Sequence, residues 1–336
     1  DVNPDTVSYG VRTVAMQNHV HPVRAYFEGL EWDGEPRVES WLSTYLGVEP
    51  GPYAKAVGTR FLIAAVARVM QPGCKVDTML VLEGSQGIGK SSAVKALFGD
   101  DWFADSLPPL SSKEAAMQIQ GKWVVEVAEL DAFRRSEINE IKAFLSRTSD
   151  RFRAPYDHFP QDSPRQCVFV GTTNADDYLK DSSGNRRFWP VRCSAVDLSR
   201  LIADRDQIWA EAAELLAWGI QWHLTPEEDA LAQAEQKVRV AEDAWAPAID
   251  AYVWSRPRVT TEEVLIRALE LPTARRDQLA RLRVNAHLKQ WGWEHRKSGG
   301  QRPFHRPNPV PHEKRCYVDG LKASHYVPDA NFDYLD

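Results

Sequence analysis

The sequence predicts an α/β fold, a parallel sheet flanked by helices, with helical additions on either side. Three observations carry this. Apolar runs bounded by turn residues recur at 79–82, 123–130 and 166–174, as strands buried on both faces require. Stretches with helical spacing alternate with them, such as 136–147 with Ile138, Ile141 and Leu145 on one face. Between the first strand and its helix stands Gly84-Ser85-Gln86-Gly87-Ile88-Gly89-Lys90-Ser91, a G-x-x-x-x-G-K-S spacing in the strand–loop–helix context that such a loop requires.

Residues 1–75 read as an N-terminal helical unit. Pro22 opens a short helix, Val38, Trp41, Leu42 and Tyr45 space a second, and 53–70 form a long apolar third, ended by Pro72-Gly73. Residues 76–196 form the core. In its loop, the glycines let backbone N–H groups turn around phosphate oxygens, and the following helix adds its positive dipole end. Lys90 would reach the β- and γ-phosphates and Ser91 would offer its hydroxyl to Mg²⁺, with Ser92 closing the binding segment. ATP and Mg²⁺ are the expected cofactors. The loop alone does not separate a kinase from a motor.

Such a site needs a carboxylate at the end of a neighbouring strand, for Mg²⁺ and for the attacking water. Glu129 is the first candidate, Glu126 the second and Asp131 the third. Asn174, ending the 166–174 strand, suits a residue that orients water near the γ-phosphate. Arg186 and Arg187 follow a Gly-Asn turn and precede an aromatic pair. One of them suits an arginine finger, because a planar guanidinium can neutralise phosphoryl oxygens bidentately, and the other a structural role. Arg151, Arg153, Tyr156 and His158 alternate charge with aromatic rings around Pro155 and Pro160. This is either a nucleic-acid-contacting hairpin or a solvated basic one.

Residues 197–246 read as a helical extension, 247–305 as a basic domain and 306–336 as a tail rich in proline and polar groups. Thr260 to Glu263 is a capping box. A helix across 273–291, either continuous or broken early, would use Leu279, Leu282, Ala286 and Leu288 inward and turn Arg275, Arg276, Arg281, Arg283 and Lys289 outward. A hairpin carrying Arg296, Lys297 and Arg302 follows, which makes the domain winged-helix-like. Residues 255–315 hold fourteen Lys/Arg against six Asp/Glu, a net +8 in a chain whose total is −6. That asymmetry points to a nucleic-acid-facing module, with a protein–protein module of the same shape as the alternative.

The 336 residues, 43% hydrophobic and 26% charged, describe a globular chain of two or three domains. No apolar run approaches a membrane span, and the start carries no signal-peptide pattern. Four scattered cysteines without a C-x-x-C argue against zinc and disulfides and suit a reducing cytoplasm.

The ordered phrases around Val76-Asp77-Thr78, the glycine loop, Ala128-Glu129-Leu130-Asp131, Phe144-Leu145-Ser146-Arg147, Asp150-Arg151-Phe152-Arg153, Gly171-Thr172-Thr173-Asn174 and Gly184-Asn185-Arg186-Arg187-Phe188-Trp189-Pro190 resemble the virulence-associated protein E family of phages and genomic islands. That family looks like a branch of the superfamily 3 helicases, which are AAA+-like P-loop ATPases of small replicons. The resemblance implies Walker A roles for Lys90 and Ser91 and a Walker B role for Glu129, helped by Glu126. It implies a sensor at Asn174, a finger at Arg186 or Arg187 donated to a neighbour, and a DNA-contacting hairpin across 151–159. Adjacent acids are common at Walker B in that group, whereas here they stand three apart. The expected partners are single-stranded or forked DNA and further copies of the chain in a hexamer or other ring. A primase is a further candidate, although no primase carboxylate cluster is visible. The implied function is an ATP-dependent DNA helicase of phage or mobile-element replication. The rival is an ATP-regulated initiator or regulatory DNA-binding protein; a small-molecule kinase fits less, having no use for Asn174 or the arginine pair.

Overall fold

The structure is a computed structural model. It describes residues 20–110, 112–153, 160–175, 178–179, 184–240, 243–296 and 303–306, with 3, 6, 7, 10, 11, 13 and 14 besides. The chain divides into two compact units, Asp1–Ala241 and Glu242–Asp336.

The first unit begins with α1 (Pro22–Glu28), α2 (Trp41–Leu46) and α3 (Pro52–Met70). Then come β1 (Met79–Glu83), α4 (Lys90–Phe98), β2 (Phe103–Ala104), α5 (Lys113–Gln118), β3 (Val124–Val127) and α6 (Arg135–Leu145). A hairpin of β4 (Ser149–Phe152) and β5 (Gln161–Pro164) leads to β6 (Val168–Thr173), β7 (Phe188–Arg192), α7 (Leu198–Ala217) and α8 (Pro226–Val238). The main sheet runs in the order β2-β3-β6-β1-β7, parallel throughout. β6 therefore separates β3 from β1, so the acids near the end of β3 are one strand further from the glycine loop than expected from sequence.

Alternate side chains of each strand enter different apolar layers, as a two-residue period requires. Leu80, Leu82, Val124, Val168 and Val170 join α1 to α4 and α7 on one face. Met79, Val81, Val125, Val127 and Phe169 join α5 and α6 on the other. The first layer contains most of what sequence assigned to the separate units 1–75 and 197–246. α3 is buried on nearly every side, and a unit of that size has too little volume to surround it. Trp123 locks the layer: its indole lies 4.3 Å from Trp209, 4.7 Å from Phe98 and 5.1 Å from Phe27, and its N–H donates to the Ala65 carbonyl at 2.9 Å.

The hairpin is mounted on a buried ion pair. Arg165 donates to both Asp150 oxygens, at 2.8 and 2.6 Å, and to the Phe144 carbonyl at 2.6 Å. Its guanidinium also lies over the Phe144 ring, 4.4 Å from the centroid.

The second unit contains α9 (Ala246–Val253), β8 (Arg258–Val259), α10 (Thr261–Glu263) continued by a π-helical stretch Val264–Ala268, α11 (Gln278–Gln290), β9 (Glu294–His295) and β10 (Phe304–His305). Its sheet runs β8-β10-β9, antiparallel. It starts a few residues earlier than the break expected at 246–247, because Asp243 bonds the Trp245 amide at 2.8 Å and the Arg283 guanidinium.

α11 is rotated relative to the sequence-based expectation. Ala280, Val284, His287 and Leu288 face inward, while Leu279 and Leu282 are 75% and 55% exposed and Ala286 is exposed. Two polar contacts set this rotation: His287 Nε2 meets Asp250 Oδ1 at 2.9 Å, and Arg283 reaches Asp243 while lying over the Trp245 ring at 4.0 Å.

Trp123→Ala is expected to cost about 3–5 kcal/mol, from lost transfer energy and an unfilled cavity. Urea unfolding of the full chain measures it.

Candidate functional site

β1 delivers the glycine loop to the carboxyl edge of the sheet. Gly84, Gly87 and Gly89 have φ of 141°, 83° and 97°, values that a side chain disfavours. At Gly84 a Cβ would also lie 2.5 Å from the Cys193 carbonyl oxygen. Gly89 caps α4, so Lys90 and Ser91 form its first turn. The Lys90 ammonium folds back into the loop. It donates to the carbonyls of Gly84 and Ser85, at 2.5 and 3.0 Å, and to Asn174 Oδ1 at 3.1 Å. Burial lowers its pKa from the ordinary lysine value, while the nearby Glu126 and Asp131 act to raise it.

Glu126 crosses β6 to meet this turn. Its Oε1 accepts from Ser91 Oγ at 2.7 Å and Thr172 Oγ1 at 2.8 Å. Its Oε2 is buried and has no partner among the described residues. On the opposite face of β6, Gly171 leaves room for Leu130, where a Cβ would lie 2.5 Å from its Cδ1. An oxygen-only set of hydroxyl and carboxylate suits a hard cation, which needs few protein ligands when it keeps water and ligand phosphate. No group of three or more His, Cys, Asp and Glu able to hold a metal occurs among the described residues.

Glu129, the first candidate from sequence, makes no side-chain hydrogen bond or ion pair among the described residues and is exposed. Its backbone lies in the left-handed region, φ 55° and ψ 48°, at the turn after β3. Such strain concentrates where a side chain must be aimed. Asp131 accepts from Thr173 Oγ1 at 2.7 Å. The loop, Glu126, Asp131 and Asn174 thus converge, while Glu129 stands at the rim.

Arg186 and Arg187 lie elsewhere. Phe188 pairs with Met79 and Arg192 with Glu83, so the arginines sit at the amino end of β1 and the loop at its carboxyl end. The strand between them spans roughly 15 Å. Arg186 bonds Asp77 Oδ2 at 2.8 Å, and Arg187 bonds Ser146 Oγ at 3.0 Å. Neither reaches the loop of its own chain.

Among the DNA-contact candidates, Arg151 is 69% exposed, with Asp162 at 3.9 Å, and Arg153 is exposed. Lys289 is exposed, and Arg296 is exposed with Glu294 at 3.3 Å. Arg283 is committed to Asp243 at 2.5 Å. Tyr156, His158, Lys297 and Arg302 lie outside the described residues. The polar residues not anticipated from sequence are Thr172, Thr173, Glu83, Tyr178 and Arg239. The run of small polar residues ending β6 signalled the threonines; nothing local signalled the others.

Polar groups converging at the carboxyl ends of the middle strands define an open α/β protein with its candidate site at that edge. Residues 27–241 match the family model of the virulence-associated protein E-like domain, and the chain belongs to that family. The match ends where the first compact unit ends. Among solved structures, the chain is similar to the apo structure of the NrS-1 C terminal region (305-718), at 14% identity and a TM-score of 0.47, covering 83% of this chain and 77% of that one. It is also similar to the A form apo structure of the NrS-1 C terminal region, at 12% identity and a TM-score of 0.45, covering 84% of this chain and 78% of that one. No curated protein matches. Among the described residues, no helix is long and apolar enough to cross a membrane.

Burial pushes the Cys193 thiol, beside Lys90, up to about 12, and the Cys167 thiol up to about 11. A thiol reacts through its thiolate, so both are expected to resist alkylation at neutral pH in the native protein and to react once it is unfolded. Peptide mapping after iodoacetamide treatment, with and without urea, checks this.

Proposed function

We propose that the chain is an ATP-hydrolysing, DNA-translocating helicase of phage or mobile-element replication, with ATP bound between subunits of a ring. The observation that carries it is the meeting of Lys90, Ser91, Glu126 and Asn174 at one sheet edge around a glycine loop. On this reading the loop is a P-loop and the first unit an AAA+-like core. The loop amides donate to phosphate oxygens, and the Lys90 ammonium exchanges its carbonyl partners for the β- and γ-phosphates. Ser91 and Glu126 have the donor set for Mg²⁺, and the unpartnered Glu126 oxygen fits it. When bound, Mg²⁺ would neutralise charge developing on the phosphates. Asn174 orients the attacking water, and Glu126 or Glu129 takes its proton.

The ring is supported by the arginine pair. A finger at Arg186 or Arg187 can serve only a neighbour's nucleotide, since the pair stands at the far end of β1 from its own loop. DNA would meet the β4–β5 hairpin through Arg151 and Arg153. The second unit, read as winged-helix-like, would add Lys289 and Arg296. A primase is a candidate partner.

Lys90→Ala is expected to lower ATP turnover at least about 100-fold, as removal of a transition-state charge does, and to abolish unwinding of a forked duplex. Wild-type protein that hydrolyses ATP without stimulation by DNA and without unwinding would overturn the helicase reading. Glu126→Gln and Glu129→Gln separate the carboxylate roles. Loss of Mg²⁺-dependent nucleotide binding is expected from Glu126→Gln, and loss of turnover with binding intact from Glu129→Gln; calorimetry and phosphate release measure the two.

A second reading is an ATP-regulated initiator. It is favoured by α11, which exposes Leu279 and Leu282 together with Lys289, a mixture suited to base edges and phosphates. Footprinting of the full chain on its own replicon's origin distinguishes it, since a translocase leaves no site-specific protection.

A further inference from the structure

Glu83 ends β1 and immediately precedes the first glycine of the loop. Its side chain is 0% exposed, and Oε1 accepts from the Arg239 guanidinium and from the Tyr178 hydroxyl at 2.9 Å. Oε2 is also buried and has no partner among the described residues. Burial and the Glu83 charge push the Tyr178 phenol well above its ordinary pKa, so it remains a donor.

Arg239 follows α8 and is 11% exposed. It also binds Glu235, at 2.5 Å to the carboxylate and 2.8 Å to the carbonyl. Its own carbonyl accepts from the Leu179 amide at 3.2 Å, and Leu179 forms a parallel bridge with Val240. The Arg239 guanidinium therefore joins the end of β1 to the end of α8, and the Glu83 carboxylate it holds also receives Tyr178 from the segment following Asn174. The helix behind it is anchored. Arg60 pairs with Glu228 at 2.9 Å near its start, and Gln236 donates to the Phe188 carbonyl at 2.8 Å.

The contacts of Lys90 explain why this matters. Its ammonium donates to the Gly84 carbonyl, one residue after Glu83, and to Asn174, four residues before Tyr178. The β1–β6 ladder pairs Glu83 with Thr173, so losing the Arg239 contact would remove side-chain support from these two segments without parting them. We propose that Arg239 is a positioning residue of the nucleotide site, fixing the glycine loop against the Asn174 strand end. The proposal rests on the ATPase reading.

The test compares wild type, Arg239→Lys, Arg239→Gln and the pair Glu83→Gln/Arg239→Gln in the full chain. Arg239→Gln strands a buried carboxylate and is expected to lower the melting temperature; the double variant removes both charges and is expected to recover most of it. Positioning predicts that kcat for ATP stays at least about ten-fold below wild type in both, with Arg239→Lys partly rescuing it. It also predicts that amide hydrogen exchange in nucleotide-free protein accelerates at 84–91 and around Asn174 in the stable double variant, and not elsewhere. A double variant that recovers wild-type kcat and wild-type loop exchange along with its melting temperature would overturn the proposal, leaving only a plug for a buried charge. Wild-type protein without ATP hydrolysis would overturn the ATPase reading instead, and the exchange comparison would still decide whether Arg239 orders the loop.

Discussion

The middle strands of the large sheet are sealed between two apolar layers, and an ionised group cannot remain there alone. Buried carboxylates are therefore met by hydrogen-bond donors or by a guanidinium. Glu126, inside β3, is held by two hydroxyls that reach it from α4 and β6. Glu83, closing β1, is held by Arg239 and Tyr178. Asp150 is held by Arg165. Each buried carboxylate ties together stretches distant in the chain, so satisfying it also aligns them.

The parallel arrangement then separates two kinds of polar chemistry. At the carboxyl ends, the glycine loop, Glu126, Asp131 and Asn174 meet. At the amino ends lie Arg186 and Arg187, and the ion pair that mounts the hairpin joins Asp150 to a residue just ahead of β6. In the proposed ring, one subunit's amino-end arginines would complete the next subunit's carboxyl-end site, making each site dependent on assembly.

The second unit follows a similar rule on a smaller scale. Its apolar core is small, and two polar contacts, His287 with Asp250 and Arg283 with Asp243, decide how α11 rolls. The roll buries Ala280 and Val284 and leaves Leu279 and Leu282 in solvent. An apolar count along the helix could not choose between these faces, because both carry hydrophobic residues at helical spacing.

Much of the molecule was legible in the chain. The α/β class, the strands at β1, β3 and β6, and the glycine loop at the head of α4 follow from local patterns: period, apolar continuity and glycine placement. Those features depend on neighbours in sequence. The strand order, the merging of the flanking helices into one layer with the sheet, and the choice of Glu126 over Glu129 as the Ser91 partner do not. Glu126 and Glu129 are three residues apart and chemically alike. Only the insertion of β6 between β3 and β1, with Thr172 donating to Glu126 on the way, brings one carboxylate to the loop and leaves the other at the rim. Arg239 is the extreme case: its partner lies 156 residues away, and only burial makes their pairing obligatory.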